Sequence, residues 1–292
     1  MGILSRVDIA SIAPVATACG LAIALPAFAL AACADGGSDT ASSAAVTTAA
    51  SNAPAGTAGV ERYRAVVKDT LPFDPTSFTQ GLEVNEAGQL IVGTGQVGQS
   101  RLYYADPGQG TASTSVDLPR ESFGEGITKY KDTIWQLTWQ DGLAYRYNAQ
   151  TLALLGTAEY VGEGWGLCSF ADELIMSDGT SQLRHLDPET FAERSRVQVT
   201  LNGRPLDQIN ELECVDGQVL ANVWFSTDIV RIDPATGEVN AIIDASGLPN
   251  NAEPDPNNVL NGIAHIPGTQ EYYLTGKRWP DLYRVSFEPV AN

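Results

Sequence analysis

Five seven-residue segments of strand-like sequence recur along this chain at intervals of about forty-five residues, and no other feature restricts the fold so tightly. They are Gln89–Gly95 (QLIVGTG), Thr133–Trp139 (TIWQLTW), Glu173–Gly179 (ELIMSDG), Gln218–Trp224 (QVLANVW) and Glu271–Lys277 (EYYLTGK). A second recurrence opens each unit: Gln80-Gly81-Leu82, Glu125-Gly126-Ile127, Trp165-Gly166-Leu167, Asn210-Glu211-Leu212 and Asn261-Gly262-Ile263. A third follows each segment as an alternating run: RLYYAD, LAYRYN, QLRHLD, DIVRID and DLYRVS. The first four of these run into Asp-Pro or Asn-Ala turns, the chemistry that reverses a chain between strands. Repeated antiparallel four-stranded units without an amphipathic helix predict an all-β protein, a five-bladed β-propeller. Two packed sheets would leave the period unexplained. The fifth unit stops soon after Val285-Ser286-Phe287, short of a fourth strand. Residues 62–67, ahead of the first unit, are expected to supply that strand, closing the ring and covering an edge.

The repeat begins late, so the first sixty residues need a separate account. Residues 1–32 carry an early Arg6 and an almost wholly apolar run from 16 to 32, ending in Leu30-Ala31-Ala32-Cys33. This reads as a lipoprotein signal peptide with Cys33 as the acylated residue; a plain secretory signal with a chance cysteine is the alternative. Residues 33–59 are almost entirely Ala, Ser, Thr and Gly, too poor in apolar side chains to fold, and read as a flexible tether. The propeller domain is expected over 60–292. The chain sets 17 basic against 35 acidic residues, a net charge of −18, which argues against nucleic acid or anionic lipid surfaces as partners. Membrane contact is expected through the lipid anchor alone, on a periplasmic monomer with the outer membrane favoured. Cys168 and Cys214 fall about three residues into the first strands of neighbouring units; an oxidising compartment permits a bridge, and a reduced pair is the alternative. His185 and His265 read as strand residues, no metal motif appears, and no cofactor is expected.

The repeat is also a map. In each blade the start of the first strand and the end of the second lie on one rim. Gln80, Glu125, Trp165, Asn210 and Asn261 therefore converge with Trp139, Trp224 and Lys277 at the mouth of the central channel. Aromatic walls with a few polar groups suit a small ligand. Glu125, held between two glycines behind Phe123, is the carboxylate to watch, because an apolar setting raises a carboxyl toward values where it both takes and gives a proton near neutrality.

These same stretches carry a family resemblance. Phe78-Thr79-Gln80-Gly81-Leu82, Phe123-Gly124-Glu125-Gly126, Gly162-Glu163-Gly164-Trp165-Gly166-Leu167, Asn210-Glu211-Leu212-Glu213 with Ala221-Asn222-Val223-Trp224, and Asn261-Gly262-Ile263-Ala264 with Thr275-Gly276-Lys277-Arg278-Trp279-Pro280 resemble the plant and bacterial glutaminyl-peptide cyclotransferases. The resemblance spans about residues 66–285. It implies a propeller that converts an N-terminal glutamine of peptides or proteins to pyroglutamate with loss of ammonia, without a catalytic zinc. It places the essential acid on Glu125 and the other pocket residues on Phe78, Gln80, Phe123, Trp139, Trp165, Asn210, Trp224 and Lys277. Gly124, small where the family often has a larger side chain, implies a wider pocket. Gln80, Asn210 and Lys277 share, in an order left open, the work of holding the carboxamide or the oxyanion; the alternative for Lys277 is to set the local field or pair with Glu125, which would oppose a raised pKa. The alternatives are a non-catalytic propeller lipoprotein that binds a peptide or assembly partner and, last, a metal-dependent lactonase-like propeller.

Overall fold

The computed structural model describes residues 59–290; the leader, Cys33 and nearly all of the tether lie outside the described residues. Regular structure among the described residues consists only of strands. The first is β1 (Glu61–Pro72). It is followed by β2 (Thr79–Val84), β3 (Leu90–Thr94), β4 (Arg101–Ala105) and β5 (Thr114–Asp117), then by β6 (Gly124–Tyr130), β7 (Thr133–Thr138), β8 (Leu143–Asn148) and β9 (Leu154–Glu159). The third set is β10 (Leu167–Ser169), β11 (Leu174–Ser177), β12 (Gln182–Leu186) and β13 (Glu193–Gln198), with a short hairpin β14 (Thr200–Leu201) and β15 (Arg204–Pro205) after it. The last strands are β16 (Ile209–Val215), β17 (Gln218–Val223), β18 (Asp228–Ile232), β19 (Val239–Asp244), β20 (Leu260–His265), β21 (Glu271–Gly276) and β22 (Asp281–Pro289).

Each of the first three sets is a four-stranded antiparallel sheet in sequence order. Apart from the two-stranded β14-β15 sheet, the remaining strands form one eight-stranded sheet in the order β16-β17-β18-β19-β1-β22-β21-β20. In it β1 runs antiparallel to β22, from Tyr63 opposite Pro289 to Pro72 opposite Asp281, and its first residues pair parallel with β19. This strand is longer than the stretch 62–67 expected from sequence.

Burial explains why the repeat was so uniform. The first two strands of a set are buried on both faces, as in β3 and β7, so they read as continuous apolar or small residues. The fourth strands β9 and β13 are mostly exposed and read as polar or irregular. First strands touch one another in turn, β2 with β6, β6 with β10, β10 with β16, β16 with β20 and β20 with β2. That contact is close enough to require glycine. A Cβ on Gly126 would stand 2.6 Å from the Trp165 carbonyl oxygen and 2.7 Å from the Leu167 nitrogen, and one on Gly166 would strike the Asn210 carbonyl. The fourth unit departs from the rule with Glu211. Its buried carboxylate accepts from the Leu82 nitrogen at 3.3 Å and the Ile263 nitrogen at 2.9 Å, serving backbone donors of two other first strands. Glu213 and Glu83 do the same for His265 and Lys129. Burial raises Glu83 to about 7 against the hydrogen bonds from Lys129 and Thr128. Cys168 of β10 and Cys214 of β16 form a disulfide, with Cα atoms 5.4 Å apart.

Candidate active site

In four of the five units the residue that opens the unit is polar and sits on a β-bulge; the third opens with Trp165 and has none. Register shifts fall between Thr79 and Gly81 in β2, Gly124 and Ile127 in β6, Ile209 and Leu212 in β16, and Leu260 and Ile263 in β20. Each bulge turns one side chain out of the ladder, here Gln80, Glu125, Asn210 and Asn261, which is how sheets re-aim a functional group. The other half of the rim is fixed by a repeated backbone bond. The residue just past the second strand donates to the residue two positions before the opening one: Gly95 to Phe78, Trp139 to Phe123, Trp224 to Gln208 and Lys277 to Val259, all at 2.8–2.9 Å. Beyond three of these positions, Gln96, Phe225 and Arg278 adopt left-handed backbone angles, reversing the chain sharply at the rim.

The result is a cavity of about 460 Å³ lined by Phe78, Gln80, Phe123, Glu125, Trp139, Trp165, Asn210, Trp224 and Lys277. All nine residues carried over to the pocket from the sequence therefore meet in one place. Asn261 stands behind them, its Nδ2 donating to Gln80 Oε1 at 3.2 Å. Gln96, Asp255, Asn257 and Arg278 also line the cavity and were not identified from sequence. Asp255 and Asn257 belong to residues 245–259, the longest connection between sets and one with no counterpart in the repeat. The expectation for Gly124 is corrected: a side chain there would meet the Thr94 carbonyl at 2.5 Å and Gln136 Nε2 at 2.9 Å, in packing between sets, so its small size does not widen the pocket.

Glu125 is 5% exposed, Gln80 and Asn210 3% and Lys277 6%, so these four polar groups are almost fully withdrawn from water, whereas Asp255 and Asn257 are exposed. Gln80 Nε2 donates to Glu125 Oε1 at 2.9 Å. Burial lifts the Glu125 carboxyl well above the ordinary carboxylate range; the Lys277 cation opposes this and the charge of Glu163 adds to it. Lys277 is pulled down by the same burial and held up in part by Glu125. The two form no ion pair, which leaves burial the dominant influence on each. Lys277 Nζ lies 5.0 Å from the centroid of Phe78 and the Arg278 guanidinium 4.7 Å from it. Aromatic contacts run from Phe78 to Phe123 (6.0 Å between centroids) and on to Trp139 (5.7 Å), and separately from Trp165 to Trp224 (5.4 Å) and Phe225 (4.3 Å). Among the described residues no group of three or more His, Cys, Asp or Glu is arranged to hold a metal ion. His185 Nδ1 lies 2.9 Å from Glu173 and His265 Nε2 2.8 Å from the Thr269 carbonyl, both away from the cavity.

Comparison with known proteins agrees with this geometry. The glutamine cyclotransferase family profile matches residues 40–287. A glutaminyl-peptide cyclotransferase of Arabidopsis thaliana is 34% identical over 224 residues, covering 75% of this chain and 70% of the plant protein. The crystal structure of Myxococcus xanthus glutaminyl cyclase superposes with a TM-score of 0.76 at 37% identity, covering 80% of this chain and all of the bacterial one.

Proposed function

The chain belongs to the glutamine cyclotransferase family, and from that premise we propose that its rim cavity closes the N-terminal glutamine of peptides or proteins to pyroglutamate, with Glu125 carrying the proton. One observation carries the assignment of roles. Gln80 is committed at both ends, to Glu125 through Nε2 and to Asn261 through Oε1, and so orients the acid. Lys277 Nζ and the Asn210 carboxamide line the same cavity, are almost wholly buried, and make no hydrogen bond to any described residue. Buried polar groups normally find partners, and here the substrate is the partner.

The glutamine α-amine enters neutral and attacks its own γ-carbonyl carbon. Glu125 takes a proton from that nitrogen as the new C–N bond forms. The oxyanion collects between Lys277 and Asn210, where loss of one donor commonly costs on the order of 10² to 10³ in rate. Glu125 then returns the proton to the amide nitrogen, the old C–N bond breaks, ammonia leaves and the carbonyl re-forms. Glu125 ends as it began, and the acyl group has moved between two nitrogens, which makes the enzyme an aminoacyltransferase. The aromatic walls hold the side chain folded toward its amine, a positioning effect that can supply several kcal/mol, up to about 7–11 in the best-oriented systems.

We read β2 to β5, β6 to β9, β10 to β13, β16 to β19 and β20 to β22 with β1 as five blades, the last closed by β1. The cyclic contacts of the first strands and the β1–β22 pairing support this. Lipidation at Cys33 and an outer-membrane location reached through the tether complete the proposal; they rest on the sequence of residues 1–59. Ammonia release from a glutaminyl dipeptide by the full chain in the presence of chelator, beside Glu125→Gln, tests the core of it. Turnover by the parent alone is expected; a folded parent silent on several such peptides would favour a peptide-binding lipoprotein instead.

A further inference from the structure

Glu163 does not line the cavity, yet its one carboxylate holds two residues that do. Its Oε2 accepts from Trp139 Nε1 at 2.8 Å and from Trp165 Nε1 at 2.9 Å, while Oε1 accepts from Gln140 Nε2 at 2.9 Å. Trp139 follows the second strand of one set and Trp165 opens the next, so one carboxylate joins side chains from two sheets. It also joins the two aromatic rows. Phe78, Phe123 and Trp139 form one; Trp165, Trp224 and Phe225 form the other, and Glu163 is the bond between their ends.

The backbone is built to put it there. Gly162 has φ of 89°, a left-handed value that side chains resist. Gly164 donates to the Trp139 carbonyl at 3.0 Å, and a Cβ on it would run into Tyr160 Oη and stand 2.9 Å from the Thr138 carbonyl. Burial pushes the Glu163 carboxyl up, but the donors Gln140, Trp165 and Trp139 outweigh it and hold the group below the usual carboxylate range. It is therefore a charged acceptor, and a charged acceptor forms the shorter and stronger kind of hydrogen bond. Trp139 is 39% exposed, so without that bond little on its solvent side would fix the ring.

We propose that Glu163 is a positioning residue of the cyclisation site, holding the Trp139 and Trp165 indoles as one rigid jaw against which the glutamine side chain folds back onto its own amine. The proposal rests on the cyclase reading. Its charge has a second effect. Glu125 faces Lys277, Glu163, Tyr160, Arg278 and Asp255 from the surrounding connections. Lys277 lowers its carboxyl and Glu163 raises it, while Tyr160, pushed up to about 12, stays neutral. Removing the Glu163 charge therefore moves the Glu125 titration to lower pH.

Two substitutions separate the two effects. Glu163→Gln keeps a carbonyl oxygen that can accept both indole protons but loses the charge. Its KM is expected to stay within about twofold, while the Glu125 limb of the kcat/KM profile moves to lower pH. Glu163→Ala loses both; kcat/KM is expected to fall on the order of 10- to 100-fold, as a small misplacement of reacting groups commonly costs. In a ¹⁵N spectrum two indole Nε1–H signals should move in Glu163→Ala and stay near their parental positions in Glu163→Gln. Parental kinetics and an unmoved pH limb in Glu163→Ala would overturn the proposal. So would equal impairment of both variants with matching loss of thermal stability and no pH shift, the pattern of a merely structural residue. Failure of the cyclase reading looks different, because the parent would then be inactive while the indole signals still moved.

Discussion

Replacing Glu125 by glutamine should silence the site and, at alkaline pH, stabilise the protein. Burial, the leading influence, and the Glu163 charge hold the folded carboxyl well above its ordinary 4.5, and the Lys277 cation only partly offsets them. A folded-state value above the unfolded one means that the native protein holds this proton more tightly than the unfolded chain does. The contribution is complete below about pH 4.5 and is lost as pH rises through the folded value. Across that window this one group lowers parental stability by about 1.4 kcal/mol per pH unit. Glutamine cannot ionise, and its carbonyl can still accept from Gln80 Nε2. The stability difference between variant and parent should therefore grow in the variant's favour with that slope, less whatever Lys277 loses with its neighbouring charge. Urea unfolding of both proteins at several pH values from roughly 5 to 9, with pyroglutamate formation followed in parallel, measures both sides. The expected outcome is a kcat reduced by about 10² to 10⁴ together with a stability difference that rises with pH. An inactive variant whose relative stability is flat or falls with pH would refute the desolvated carboxyl, and a variant that still turns over would refute its proton role.

Asn210→Ala and Lys277→Met should each lower kcat by roughly 10² to 10³ with smaller changes in KM, in steady-state kinetics on a glutaminyl dipeptide. The Cys168→Ser, Cys214→Ser double variant should lose up to ~4 kcal/mol by the unfolded-chain entropy of a loop spanning 46 residues, read from denaturant midpoints under non-reducing conditions. Glu211→Ala strands two buried N–H donors, those of Leu82 and Ile263, and should cost about 2–6 kcal/mol; Glu211→Gln, which keeps one acceptor and buries no charge, should cost less, and increasingly so as pH rises.

What the sequence disclosed about the site followed the repeat. Gln80, Glu125 and Asn210 occupy equivalent opening positions in their units, Lys277 shares the second-strand end with Trp139 and Trp224, and bulges and rim bonds convert equal position into convergence. Asp255 and Asn257 were illegible because their loop has no counterpart to align with. Arg278 and Gln96 stand one residue past a repeating segment, where only the left-handed backbone turn brings them inward, and periodicity carries no record of that turn. Glu163 differs again. Gly162-Glu163-Gly164 repeats the glycine-flanked carboxylate of Gly124-Glu125-Gly126, so the signal was present. What could not be read was that its partners would be two indoles rather than a substrate. The reverse error arose at Gly124, where a small residue suggested a larger pocket; the missing side chain points into packing between sets, a direction that residue size does not encode.

The pairing of β1 with β22 brings the two ends of the described chain side by side, with Tyr63 opposite Pro289. The order of the units is then a property of a circle rather than of a line. Linking these ends by a short flexible segment and opening the chain instead in the turn between β4 and β5, where Gly108 and Gly110 already bend it, would preserve every strand pairing and leave the cavity residues in place. Where the chain enters the strand array and how the cavity is built are in that sense separable, and the entry point could be moved to another set of strands without rebuilding the site.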